Sequence, residues 1–279
     1  MMPVRGDGRG PFLFAHAAAL AKRFGAHIKV VHCHPKAEDL MPHGVVIPAF
    51  LRKQIEKASE QSAESEEDAI HDLFSADAAK HGISEQEPEF NKATAKFYEF
   101  TGKQVDAVSH HGRLSDLICV PKPSREEDLG FNTLKAALFS SGRPVMVCPD
   151  TDQVKGDLGK HVAIGWNGSL EASRAAAMAM PLIENADKVT VLTGGKSEHA
   201  ATAEEFRDYL GRRGVSADVV QFEAKKGNVG RQLLQKCDEI SADLLVMGAY
   251  HERYERESLL GGNSATVVDE ARIPVIMVH

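Results

Sequence analysis

The chain has 279 residues, 43% of them apolar and 26% charged, enough for one large domain or two ordinary ones with full cores. A net charge of −7 weighs against nucleic-acid backbone or anionic membrane as partner, and no apolar run approaches the roughly 18 residues of a membrane span. The four cysteines, Cys33, Cys119, Cys148 and Cys237, lie far apart with no C-x-x-C pair; they read as reduced, buried thiols of a cytoplasmic protein, not as zinc ligands.

In chain order, a short start, MMPVRGDGRG, carries no apolar export core. "FLFAHAAALAKRFGAHIKVVH" (12–32) reads as an Ala-rich helix, a turn and a strand. "HCHP" (32–35) sets His32 and His34 two apart on one face of a strand end. With His43, His110 or His111 they could bind a metal, but rim histidines are the plainer reading and no metal is assigned. A long helix follows at about 47–81, and its acidic run "SEQSAESEEDAIHD" suits a solvated face. A strand is expected near 94–101. "SDLICVPKP" (115–123) and "GRPVMVCP" (142–149) read as strands, the second with Pro just ahead of it, where a missing N–H costs little.

The polar stretch "PDTDQVKGDLGK" (149–160) then marks a seam, with a boundary near residue 155. The second half predicts strand 161–166, helix 169–183, strand 188–193, helix 200–213, strand 217–223, helix 228–240, strand 243–248, a loop, helix 264–271 and strand 274–278. Blocks of the first half recur there in the same order. "SDLICVPKP" matches "ADLLVMGAY" (242–250), "GRPVMVCP" matches "RIPVIMVH" (272–279), and residues 12–32 match "LEASRAAAMAMPLIENADKVTVLT" (170–193). This is an internal duplication. Helices alternating with short β-branched strands call for parallel sheets covered by helices on both faces.

Ligands of such sheets sit at the carboxyl ends of strands, here residues 164–167, 192–195 and 247–250. The last of these runs through a polar loop into "GGNS" (261–264) at a helix start, where backbone N–H groups and the helix dipole suit phosphate. Trp166, the one tryptophan, either walls that cleft or packs under a helix. Ser169 ahead of "LEAS" reads as a helix cap. There is no Ser-His-Asp order, no G-x4-G-K-[ST] string and no general base beside the loop, so no catalytic residue is assigned.

In "VAIGWNGSLEASRA" (162–175), "ADLLVMGAY", "LLGGNSATVV" (259–268) and "PVIMV" (274–278), the sequence resembles the universal stress protein family in its tandem two-domain form. The resemblance implies α/β architecture: two doubly wound, Rossmann-like, parallel five-stranded sheets of strand order 3-2-1-4-5, in domains 1–154 and 155–279. It implies a stress-response, nucleotide-binding regulatory protein, with ATP or AMP held in the second domain and Mg accompanying ATP. Gly248 and Gly261 take the family's first and third glycine positions, followed by Gly262, Asn263 and Ser264. Asn167 stands where the family offers Asp, and Thr193 lies where adenine packs. Gly165, Trp166 and Met247 complete the site. His251 replaces the second glycine; it either obstructs the phosphate or, protonated, contacts it.

In the first half Pro121 stands where Gly248 stands in the second, and "PKPSREEDLGFNT" lacks a glycine pair. That half is expected not to bind nucleotide in the family's way, because Pro supplies no amide to an anion nest. Its first strand is expected to be clipped, or to begin upstream. The final strands of the two halves are expected to pair with each other or with a second chain, giving an intramolecular pseudo-dimer with room for a homodimer. Two further readings stay open: a scaffold of the same fold that has lost its site, and a slow ATPase.

Overall fold

The structure, a computed structural model, describes residues 1–36, 48–154, 156–194, 200–224, 228–249 and 262–279. His43, His251 and Gly261 therefore lie outside the described residues.

In the second half β7 (His161–Gly165), β8 (Lys188–Thr193), β9 (Ala217–Gln221), β10 (Leu244–Gly248) and β11 (Val275–Val278) run in the spatial order β9-β8-β7-β10-β11, every neighbouring pair parallel. That is the expected 3-2-1-4-5 order. The strands are Val-, Leu- and Ile-rich because helices cover both faces, and Val162, Ala163, Leu244, Leu245, Val246, Val275 and Ile276 are all buried. The helices are α5 (Leu170–Met178), α6 (Met180–Glu184), α7 (Ala203–Arg212), α8 (Val229–Glu239) and α9 (Gly262–Glu270). The single helix expected over 169–183 is two, meeting at Ala179. Pro181 has no amide to donate back along the helix, so it starts a new segment. The two most amphipathic helices, α7 and α8, lay Phe206 and Leu210, and Leu233 and Cys237, onto opposite faces of the sheet.

The first half departs from a five-stranded sheet. β1 (Met2–Val4), β2 (His27–His34), β3 (Ser84–Glu85) and β4 (Thr94–Thr101) form a four-stranded sheet of order β1-β2-β4-β3, in which the two-residue β3 is an unforeseen edge strand. β5 (Ile118–Pro121) and β6 (Val145–Cys148) instead belong to the sheet of the second half. β6 pairs antiparallel with β11, Met146 opposite Ile276, giving seven strands in the order β5-β6-β11-β10-β7-β8-β9. The two sheets meet at Met1, just ahead of β1: Cys119 N–H donates to Met1 O at 2.9 Å, and the Met1 amine donates to Leu117 O at 2.9 Å, which sets β1 beside β5. Four helices complete this half: α1 (Gly10–Phe24), α2 (Ala49–Lys80), α3 (Gln104–Gly112) and α4 (Phe131–Ser140).

Two fastenings set the second half in place. The Asp243 carboxylate accepts from the amides of Gly159, Lys160 and His161 at 3.0–3.3 Å, fixing the start of β7 beside β10. Arg23, near the end of α1, donates to Leu158 O at 2.7 Å and to Asn185 O, which ties the first helix to the second half.

Candidate nucleotide cleft

β7 and β10 are adjacent and parallel, so the loops leaving their carboxyl ends emerge side by side. Three helices start around that point. α5 follows β7 through Trp166–Ser169, α8 begins at Val229, and α9 begins at Gly262. Each helix start carries roughly half a positive charge from its aligned peptide dipoles. Between them lies a cleft of ≈ 170 Å³, lined on one side by Gly165, Trp166, Asn167, Ser169 and Glu171, and on another by Met247, Gly248, Asn263 and Ser264. Leu192, Phe222 and Leu233 supply an apolar wall.

Local chemistry explains how each part is held. Ser169 caps α5, its Oγ accepting from the Ala172 amide at 3.1 Å, while Asn167 Oδ1 accepts from the Ser169 amide at 3.1 Å. The Asn167 carbonyl group is thereby engaged in shaping the turn. Trp166 is buried beside the cleft, and its indole stacks on Phe206 of α7 and donates from Nε1 to Ala201 O at 2.9 Å. Asn263 does not hang free either, since its Oδ1 accepts from the Gly230 amide at 3.2 Å and so caps the start of α8 from α9.

Gly248 serves a purpose that the phosphate-loop reading did not anticipate. A Cβ built there would lie 2.5 Å from the Ala172 amide nitrogen and 2.6 Å from the Glu171 carbonyl carbon. Its lack of a side chain lets the first turn of α5 rest on the end of β10. Gly230 plays the same part between α8 and α9, where a Cβ would meet Asn263 O at 2.7 Å. Together these contacts pull two helix starts inward, which narrows the cleft. Gly262 opens α9 with φ +71.

Of the residues singled out from the sequence, Gly165, Trp166, Asn167, Met247, Gly248, Asn263 and Ser264 line one cleft. Gly262 begins the helix beside them. Thr193 is buried at the end of β8, between the lining residues Leu192 and Gly194, with its carbonyl accepting from the Phe222 amide at 2.9 Å. Sequence reasoning missed Glu171, Phe222 and Gly230. Glu171 is 7% exposed and lines the cleft beside Gly248. A glycine at the second position of the helix in "NVGRQLL" was the available signal for Gly230. Among the described residues no three His, Cys, Asp or Glu side chains gather as metal ligands, and no helix is long and apolar enough to cross a membrane.

Comparison with known proteins follows this geometry. Residues 159–279 match the universal stress protein family. A universal stress protein from Archaeoglobus fulgidus DSM 4304 aligns with 99% of this chain and 95% of its own, at 16% identity and a TM-score of 0.72. A putative universal stress protein from Pseudomonas aeruginosa UCBPP-PA14 aligns with 100% and 90% respectively, at 12% identity and a TM-score of 0.56. At these identities the likeness is one of fold. Comparison with curated proteins finds no match.

Proposed function

We propose, on the premise that residues 159–279 are a universal stress protein domain, that this chain binds an adenine nucleotide in the second-half cleft and acts through partners instead of through turnover. The observation that carries this reading is the convergence of three helix starts, those of α5, α8 and α9, on a cleft with an apolar wall. The helix starts suit phosphate, and Leu192, Phe222 and Leu233 suit a base. The choice of adenine, as ATP or AMP, rests on the family resemblance. On this reading Gly165, Trp166, Met247, Gly248 and Ser264 lie against the ligand. Gly262 and Asn263 flank its phosphates, and Thr193 backs the base.

In the same proposal the chain comprises a domain at 1–154 and a second at 155–279, joined as an intramolecular pseudo-dimer. The antiparallel pairing of β6 with β11 supports that arrangement. The protein works in the cytoplasm, and further homodimerisation is compatible with it. Nucleic acid and membrane are not its partners, in keeping with the net charge of −7.

A second reading, a scaffold of the same fold without nucleotide, is favoured by one observation. Asn167 and Asn263 already spend their side-chain oxygens on the Ser169 and Gly230 amides. Mass spectrometry of nucleotide released from the purified protein, followed by calorimetry with ATP and AMP with and without Mg²⁺, separates the two. Saturable heat supports the nucleotide reading, and silence in both experiments supports the scaffold. Phosphate release abolished by Ser264→Ala would identify a slow ATPase instead.

A further inference from the structure

On the face of the first half covered by α1 and α2 lies a cavity of ≈ 150 Å³. Val4 and Val30 line it from β1 and β2, Phe14 from α1, and Ile70, Leu73 and Phe74 from α2. Phe14 and Phe74 meet edge to face there, ring centroids 5.8 Å apart. The cavity reaches the surface beside Leu73, which is 56% exposed. It is separate from the nucleotide cleft, whose residues Phe222, Leu233 and Met247 pack with the opposite layer of helices.

The second half shows what this layer of the fold is shaped to hold. There the loop after β7 places the Trp166 indole in the same apolar core as Phe14 and Phe74, stacked on Phe206 of α7, with its N–H donated to Ala201 O. The loop after β1, RGDGRG, has three glycines and no ring. A Cβ built on Gly8 or Gly10, both lining the cavity, would meet no atom within 4 Å, so open space lies beside the loop. An apolar void forfeits packing contacts, and one of this size lined by Leu, Ile and Phe stays dry and takes up benzene.

The polar groups at its edge differ in what they are doing. Arg5 already donates from Nη2 to the Thr133 hydroxyl at 3.1 Å. The Asp77 carboxylate takes no hydrogen bond among the described residues, and burial pushes its carboxyl up. A half-buried acceptor beside an apolar slot suits a ligand that brings one N–H.

We propose that this cavity binds a neutral, planar aromatic molecule of indole size, its ring against Phe14, Ile70 and Phe74 and its N–H donated to the Asp77 carboxylate. The edge-to-face pair of phenylalanines offers such a ring an aromatic wall. An anionic ligand would meet the Asp77 charge, and a long acyl chain would outgrow the space.

The test is calorimetric titration of the full chain with indole, repeated with toluene, which fills the slot but has no N–H. Saturable binding of one indole per chain is expected. Val30→Phe, which fills the cavity from its β2 side, should weaken it at least tenfold. Leu73→Arg, at the exposed mouth where folding is not at stake, should weaken it severalfold, and carries the test if circular dichroism shows Val30→Phe unfolded. Asp77→Ala should weaken indole severalfold and leave toluene unchanged. Saturating AMP should leave indole affinity as it was, whether or not the second half binds nucleotide. No saturable heat, wild-type affinity in a folded Val30→Phe or in Leu73→Arg, indole binding indifferent to Asp77→Ala, or displacement of indole by AMP would each overturn the proposal.

Discussion

The Trp166 indole lies flat on the Phe206 ring, centroids 3.9 Å apart and planes 2° from parallel. One ring belongs to the loop that walls the candidate cleft and the other to α7, so the stack fastens that wall to the outer layer of the fold. Phe206→Ala removes a buried aromatic and is expected to cost about 3–5 kcal/mol in urea unfolding. Because Trp166 is the only tryptophan, its emission should shift to the red in the variant. In the intact protein the same emission should respond to ATP or AMP. Emission unchanged by Phe206→Ala would refute the stack.

Gly248→Ala tests whether that glycine is a packing residue. An added methyl 2.5 Å from the Ala172 amide nitrogen must push α5 off β10, and backbone is the obstacle, not a yielding side chain. The expected loss is about 1–3 kcal/mol, seen in a protein that has never met nucleotide. If Gly248 mattered only for approach of a phosphate, the apo protein would unfold at the wild-type urea midpoint.

Arg23→Ala should loosen the two halves. It deletes a charged donor to Leu158 O and Asn185 O, at about 1.5–3 kcal/mol for hydrogen bonds of that kind. We expect the variant to be cut faster than wild type by a protease acting near residues 150–158. Equal cutting rates would show that the β6–β11 ladder alone holds the joint.

Stability should fall in mild acid. His16, His27, His32, His81, His111 and His161 are all held below the ordinary imidazole range chiefly by burial, His111 down to about 4. Below pH 6.5 the unfolded chain takes up protons that these folded sites still refuse, so unfolding becomes easier as pH drops. For His111 the loss runs from 6.5 to about 4. Burial pushes the carboxyls of Asp77 and Asp243 upward, which acts in the opposite sense but only within the carboxylate range. Urea midpoints between pH 7.5 and 5.5 should decline, and less steeply in His111→Gln. A flat profile would rule this out.

What the sequence disclosed and what it hid divide along one physical line. Strands such as Leu244–Gly248 and Val275–Val278 are short apolar runs bounded by turn residues, and their parallel order follows from the helices between them. The Ser169 cap was equally plain, because capping is decided within four residues. Gly248 was visible as a special position, but the reason for it was not. Its neighbours Glu171 and Ala172 lie far away along the chain, and a glycine that admits a phosphate looks the same as one that admits a helix. Gly230 against Asn263 and Phe206 against Trp166 were hidden for the same reason. In the first half the junction of β1 with β5 narrows to the two Met1 hydrogen bonds, a detail of long-range pairing that neither local propensity nor periodicity encodes.

The antiparallel junction of β6 and β11 also governs how the molecule meets its neighbours. Each is the last strand of its half, and each hides the other's hydrogen-bonding rim. At the far end of the same sheet, β5 is screened by the Met1 backbone. Among the described residues that leaves β9 as the rim of the seven-stranded sheet that no strand covers, and its sequence, ADVVQ, puts a carboxylate at Asp218. A strand adding to that rim would meet a charged side chain, which works against templated polymerisation from this sheet.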